Sequence, residues 1–420
     1  MANPFIKALA GYQSWGAGSE VFYYFDFFGA DISRPFKASE KATFRVAADA
    51  WSHVANVSLK ETNDIGFTNL SELIPNLRTF HFVNGPDALG RHDFPNPILS
   101  FGQYADPDGL NLPVFIHELG HALGLAHPHD HGQHTSLFPG VATSSDLGAH
   151  ELNQDIYTVM SYNRFNSAPV VTPMAFDIAA IQALYGPNTA YHTGDDSYRL
   201  ADVTGGHARH ICIWDAGGAD TLSFGGAQAA HLDLRAATLK NAFGGGGYFS
   251  YLIGHIGGFS IANGVVIENA TGGSGNDELI GNSADNRLMG RGGQDILSGG
   301  LGKDELAGGG GRDVFLFHRL AESRAGEASR DLVDDFTHAR DRIDVHDIDA
   351  RTGSGNNAFH WIGSAGFHHL KGELHEIVSL GASPALNVTL AEGDVSGDGA
   401  ADFQIQLKGL VNLTKGDFVL

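Results

Sequence analysis

Cysteine is almost absent from this chain: Cys212 is the single one among 420 residues. One thiol excludes any intramolecular disulfide framework, and its apolar setting, Ile211-Cys212-Ile213-Trp214, reads as a buried strand without chemistry of its own. Long apolar runs are missing too. Nothing approaches the roughly 18 residues that cross a bilayer, so no membrane span is expected. The first residues, Met1-Ala2-Asn3-Pro4-Phe5-Ile6-Lys7-Ala8, lack the apolar core and small-residue cleavage site of a secretory signal, and taken alone they point to the cytoplasm. Basic residues are scarce, 26 against 48 acidic, for a formal net charge of -22. That balance excludes nucleic acid and anionic membranes as main partners and favours hard cations.

What the chain does have is divided unevenly. Its length exceeds a typical single core, which implies two domains, and its 56 glycines are concentrated after residue 200. The first half is organised around residues 117–127, His-Glu-Leu-Gly-His-Ala-Leu-Gly-Leu-Ala-His. On a helix, His117 and His121 lie one turn apart on a single face and reach one metal ion. Glu118 sits beside that ion without aiming at it, where a carboxylate can take a proton from water as a general base. A straight helix cannot bring His127 to the same ion, but Gly124 can turn left-handed, end the helix and return the chain. Three imidazoles with a fourth position open are the pattern of a catalytic zinc. A bare His-Glu-x-x-His also occurs as a partly buried pair in ordinary helices; the Gly124 and His127 extension removes most such chance matches.

A second element follows downstream, Tyr157-Thr158-Val159-Met160-Ser161-Tyr162. Here the sequence resembles the metzincin zinc proteases, whose methionine turn passes beneath the three histidines. Met160 is then the floor of the site. With His127-Pro128, Met160-Ser161-Tyr162 and the segment 173–186, the resemblance narrows to the serralysin family, secreted bacterial proteases carrying calcium-binding repeats. It implies that Tyr162 binds the resting zinc through its phenol and swings away to hydrogen-bond the oxyanion. It also reverses the cytoplasmic reading. Such proteins leave by a type I exporter that reads an uncleaved carboxyl-terminal signal, which Asp417-Phe418-Val419-Leu420 resembles. The implied partners are polypeptide substrates, that exporter and a small periplasmic inhibitor, and a monomer is expected.

Around the motif, residues 20–28 read as a buried aromatic strand, and Phe44, Ala47, Trp51 and Val54 recur at helical spacing. Strands are expected at 57–62 and 78–83. The resemblance implies an edge strand that pairs with extended substrate, although 83–110 departs from its pattern. Pro113 suits the first turn of the zinc helix. His129 stands where the family usually has glycine; with His131 and His134 it reads as a solvated loop in preference to a second metal site. Residues 135–156 read as an irregular surface connection, and a helix over 177–185 is stopped by Gly186-Pro187, where the domain boundary is set.

From Gly272 a nine-residue period runs without gaps through residue 316. The sixth place holds Asp277, Asn286, Asp295, Asp304 and Asp313; the eighth holds Leu279, Leu288, Leu297, Leu306 and Phe315. This is the calcium-binding parallel β-roll pattern, in which glycine-rich turns alternate with short strands and residues eighteen apart stack. Calcium fits between stacked turns, held by carboxylates and by carbonyls of Gly272, Gly273, Gly275, Gly290, Gly292, Gly299, Gly300, Gly302, Gly308, Gly309 and Gly311. One edge stacks Asp277, Asp295 and Asp313. The other stacks Asn286 with Asp304, lacks one carboxylate, and should bind calcium less tightly. Asp215, Gly217, Asp220 and Glu268 resemble family segments that hold further calcium, while Asp394 to Asp402 has part of a calcium loop but Ile405 at its twelfth place, and reads as a turn.

The expected architecture is an α+β metzincin-like catalytic domain over 1–187 followed by an all-β parallel β-roll domain over 188–420. The expected function is a secreted endopeptidase with one catalytic zinc and several structural calcium ions. The alternative is a catalytically inactive calcium-binding surface or adhesive repeat protein, which predicts lost catalytic residues; none is missing. A serine lipase would need a Gly-x-Ser-x-Gly elbow, which is absent from the chain.

Overall fold

Two kinds of architecture follow one another along the chain, helices packed on a short sheet and then a coil of short parallel strands. The computed structural model describes residues 3–10, 14–25, 37–61, 77–83, 90–92, 98–102, 112–130, 136–351, 355–381, 383 and 386–420. The end of the first expected strand (26–28), Thr62, His131 and His134 lie outside these.

The chain opens with a short helix that sequence periodicity missed, α1 (Pro4–Leu9). Asn3 caps it by accepting from the Phe5 and Ile6 amides, and Pro4 needs no donor in the first turn. Strand β1 (Ser19–Phe25) is followed by α2 (Ala38–Val54), whose Phe44, Ala47, Ala48, Trp51 and Val54 are buried on one face. The sheet adds β2 (Val57–Glu61), β3 (Leu77–Val83), β4 (Gly90–His92) and β5 (Ile98–Gly102) in the order β2-β1-β3-β5-β4. All pairings are parallel except β4, an antiparallel edge strand. Helix α3 (Leu112–Ala122), which carries His117 and His121, packs against α2, where Trp51 Nε1 donates to the Ile116 carbonyl at 3.0 Å. Helix α4 (Ala175–Tyr185) starts two residues earlier than its apolar pattern suggests and ends at Gly186, φ 78°.

The 135–156 connection is irregular and mostly at the surface over its described residues, as expected, but it is anchored by a few buried side chains. Phe138, Val141, Leu152 and Ile156 are buried there, and Phe138 meets Phe5 and Phe176 edge-on. Its apolar residues lack a helix or strand period, so their burial was not readable from spacing.

In the second half, residues eighteen apart pair in register: Glu278 with Ile296, Ile296 with Val314, Arg287 with Glu305. Successive nonapeptides alternate between a 7-stranded and a 10-stranded sheet. The eighth-place residues Leu279, Leu288, Leu297, Leu306 and Phe315 are all 0% exposed and fill the space between the sheets. Each such burial contributes about 1.5–3 kcal/mol. The coil continues beyond the repeats, with Ile343 and Phe418 joining one sheet and Val333 and Ile405 the other. No helix among the described residues is long and apolar enough to cross a membrane.

Candidate metal centre

Helix α3 ends in a paired-bond cap: the Gly124 amide donates to His121 O and the Leu125 amide to Gly120 O, both at 2.9 Å. Gly124 has φ 104°, the left-handed conformation the sequence required of it. The returning chain is braced by α1, since the Ala126 amide donates to Leu9 O at 2.8 Å. His127 is thereby carried back to the helix. Its Nε2 lies 3.2 Å from His117 Nε2 and 3.0 Å from His121 Nε2. Tetrahedral zinc with Zn–N near 2.0–2.1 Å puts ligand nitrogens about 3.3 Å apart, so the three imidazoles suit one ion.

The opposite nitrogens are all engaged. His117 Nδ1 bonds Val159 O at 2.7 Å, His121 Nδ1 bonds Leu125 O at 2.8 Å, and His127 Nδ1 bonds Asp130 Oδ2 at 2.5 Å. Each partner is an acceptor, so each Nδ1 carries the proton and each Nε2 presents its lone pair inward. Burial, then the neighbouring His127, pushes His117 down to about 4, which keeps it a neutral ligand at pH 7. Glu118 is 6% exposed, and its Oε2 has no hydrogen-bond partner among the described residues. Burial alone raises its carboxyl to about 8. A divalent cation held by the neighbouring imidazoles would favour the ionised carboxylate.

Met160 is fully buried beneath the cluster, and Tyr162, 58% exposed, reaches His127 Nε2 with its hydroxyl at 2.9 Å. Burial, and then the charges of Glu118 and Asp130, hold the Tyr162 phenol above its ordinary range. Sequence reasoning missed three supports. Asp130 orients His127. Asp177, 0% exposed, accepts from the Thr158 hydroxyl at 2.6 Å, the Val159 amide at 2.7 Å and the Met174 amide at 2.9 Å, and so fixes the turn whose Val159 carbonyl orients His117. Gly120 is the third: a Cβ there would meet Met160 Sδ at 2.8 Å. Asp130 carried the one available signal, an acid three residues beyond a ligand.

Along the coil, sixth-place side chains form columns. The Asp277 amide donates to Asp295 Oδ1 at 2.8 Å, Asp295 to Asp313 at 3.0 Å, and Asp313 to Asp341 at 3.1 Å. On the other edge the Asn286 amide donates to Asp304 at 2.8 Å, and Asp304 to Asp331 at 2.9 Å. Asp331 adds a carboxylate from outside the repeats to this edge, as Asp341 does to the other. Upstream, the Asp220 amide donates to Glu268 Oε2 at 2.8 Å, extending that column.

In each column one carboxylate oxygen is spent on an amide. The Oδ2 atoms of Asp220, Asp295, Asp304, Asp313 and Asp331 are buried with no hydrogen-bond partner among the described residues. Burial raises Asp295 and Asp304 to about 7 and Asp331 to about 9. A Cβ on Gly290, Gly299 or Gly308 would intrude to 2.3, 2.2 and 2.5 Å of such an Oδ2, and one on Gly272 to 2.4 Å of Asp277 Oδ2, which accepts from the Gly273 amide. Gly273, Gly275, Gly300, Gly302, Gly309 and Gly311 pack equally tightly against backbone of the preceding turn, whereas Gly292 has its nearest neighbour at 3.8 Å and room for a side chain. Orphaned acid oxygens in a glycine cradle fit a hard cation. His192, Asp196 and Asp215 also bring ligand atoms within 4.8 Å of one another. Asp394 has both oxygens occupied by the Gly397 and Gly399 amides, as a turn residue would.

Three converging imidazoles beside a buried, unpaired carboxyl oxygen are the donor set and base that a metallohydrolase centre needs. Residues 176–420 match the family model described as "Peptidase M10 serralysin C terminal". The chain is 37% identical over 408 residues to metallopeptidase AprA of Pseudomonas marginalis, covering 89% of this chain and 79% of that one. Serralysin of Photorhabdus luminescens is 36% identical over 336 residues, 74% of this chain and 66% of its own length. Serralysin C of Dickeya chrysanthemi is 33% identical over 412 residues, 92% and 80%. The chain belongs to the serralysin family of metalloendopeptidases.

Proposed function

We propose that this chain is a secreted zinc endopeptidase that cleaves extracellular proteins, with a metzincin-like catalytic domain over 1–187 and a calcium-binding β-roll over 188–420. The observation that carries the reading is the convergence of three Nε2 atoms whose Nδ1 partners are all acceptors. His117, His121 and His127 would hold zinc. Zinc, when bound, supplies a Lewis acid that polarises the scissile carbonyl and acidifies water. Glu118 accepts the proton of the attacking water and passes it to the leaving amine. Tyr162 moves off His127 and donates its hydroxyl to the developing oxyanion. The antiparallel edge strand β4 offers backbone groups to an extended substrate, a mode with weak sequence preference.

The coil's carboxylate columns would take several calcium ions, and the resulting repulsion in their absence suits passage through a type I exporter as a loose chain. The acid of the carboxyl-terminal signal, Asp417, is 0% exposed in the folded chain, and Phe418 and Val419 pair as a final strand.

Replacing Glu118 tests the mechanism. Glu118→Ala is expected to retain one zinc per chain by elemental analysis while casein hydrolysis falls about 10²- to 10⁴-fold. Full activity in that variant would remove Glu118 from the reaction, and activity that survives a zinc chelator would remove the metal.

A further inference from the structure

We propose that His129 is a positioning residue that holds the Tyr162 phenol over the three-imidazole centre and so biases the resting enzyme toward a tyrosine-closed state. This rests on the reading of Tyr162 as a resting ligand. The residue sits in a tight turn, His127-Pro128-His129-Asp130, closed by the Asp130 amide donating to His127 O at 3.2 Å. Proline fixes the first central position of that turn, so His129 is presented with little freedom. Its ring lies parallel to His127, 19° between planes and 5.0 Å between centroids, and 5.1 Å from the Tyr162 ring at 55°.

Tyr162 therefore has three imidazoles around it, with His117 at 5.8 Å and His127 at 4.7 Å as the others. Those two are ligand candidates and cannot follow the tyrosine when it moves. His129 is not one of the three converging imidazoles, although its ligand atom comes within 4.8 Å of those of His127 and Asp130, and its ring forms a side wall. The side chain is 13% exposed although it carries two polar nitrogens, and Nδ1 is buried without a hydrogen-bond partner among the described residues. A buried unpaired nitrogen costs stability, and the ring contacts are what the position gains in return. A glycine at this turn would leave the flank of Tyr162 open, and 58% of Tyr162 already faces solvent.

The wall has a kinetic consequence. If the tyrosine must leave before substrate binds, apparent affinity is reduced by the fraction of molecules in which it has left. Aromatic contacts of this geometry bias such an equilibrium by about two- to tenfold.

The copper(II)-substituted protein reports the phenol directly, because a coordinated tyrosinate gives a visible charge-transfer band. His129→Gly is expected to dim that band, and in the zinc form to lower KM for a peptide substrate by up to about tenfold with kcat little changed. His129→Phe, which keeps the wall without the nitrogens, is expected to keep both the band and the wild-type KM. An unchanged band and KM in the glycine variant would overturn the proposal, as would loss of the band in both variants. If wild-type copper protein shows no band while binding one zinc and cleaving peptide, the resting role of Tyr162 falls and this inference with it. The histidine centre and Glu118 would stand.

Discussion

Gly120 shows how tightly single atoms define the centre. A methyl group at this helix position would lie 2.8 Å from Met160 Sδ and 3.1 Å from Trp51 Cζ2. Trp51 cannot yield easily, being fully buried and tied to Ile116 O. Gly120→Ala is expected to cost about 1–3 kcal/mol of stability and to weaken zinc, since the overpacked methyl displaces the methionine floor beneath the ligands. Thermal melts and a zinc titration measure both; wild-type values in the variant would show that the floor has slack. At this scale the sequence was readable where a spacing carried the geometry. His117 and His121 one helical turn apart, with Gly124 able to reverse the chain toward His127, predicted the convergence of the three imidazoles. Asp130 and Asp177 were not legible, because their roles depend on carbonyls and amides that turns alone bring within reach.

At the scale of elements, the nine-residue period made the coil's register legible, since eighteen residues bring equivalent side chains into stack. Legibility ended where the spacing changed. Asp304 is followed in its column by Asp331, 27 residues on, and Asp313 by Asp341, 28 residues on. These longer excursions keep the stack but break the period, which hid a further carboxylate on each edge. Each column thus ends on an acid from outside the repeats. Asp331→Asn should therefore weaken calcium as strongly as Asp313→Asn, about tenfold for one lost charge. Isothermal titration on the full chain would measure it. Wild-type affinity in Asp331→Asn alongside a clear loss in Asp313→Asn would return the second edge to the weaker status its repeats imply.

Over the whole molecule the two architectures share one apolar core and are tied by specific bonds. Asn3 Nδ2 donates to Leu239 O at 2.7 Å, Asn188 Nδ2 to Ser52 O at 2.9 Å, and the Cys212 amide to Thr172 Oγ1 at 2.9 Å. His210 lies at the centre of this seam. Its amide donates to Pro169 O and its carbonyl accepts from Val171, joining the segment after the methionine turn to the strand His210–Ile213 of the second half. The ring is 4% exposed, edge-on to Phe165 and Phe249, with Nε2 donating to Asn166 Oδ1 at 3.2 Å. Burial pushes this imidazole down to about 4. The unfolded chain, with an ordinary imidazole near 6.5, then binds more protons between pH 6.5 and 4. The stabilising effect of keeping His210 neutral is complete above pH 6.5 and is lost as pH falls toward 4. Many carboxylates titrate over the same range, so the informative quantity is a difference. His210→Phe preserves the ring but removes the proton, and its stability relative to wild type should improve steadily as the pH of denaturant unfolding is lowered from 6.5 to 4. A difference that stays constant across that window would mean the seam already accommodates the imidazolium, and that acid opens the molecule elsewhere.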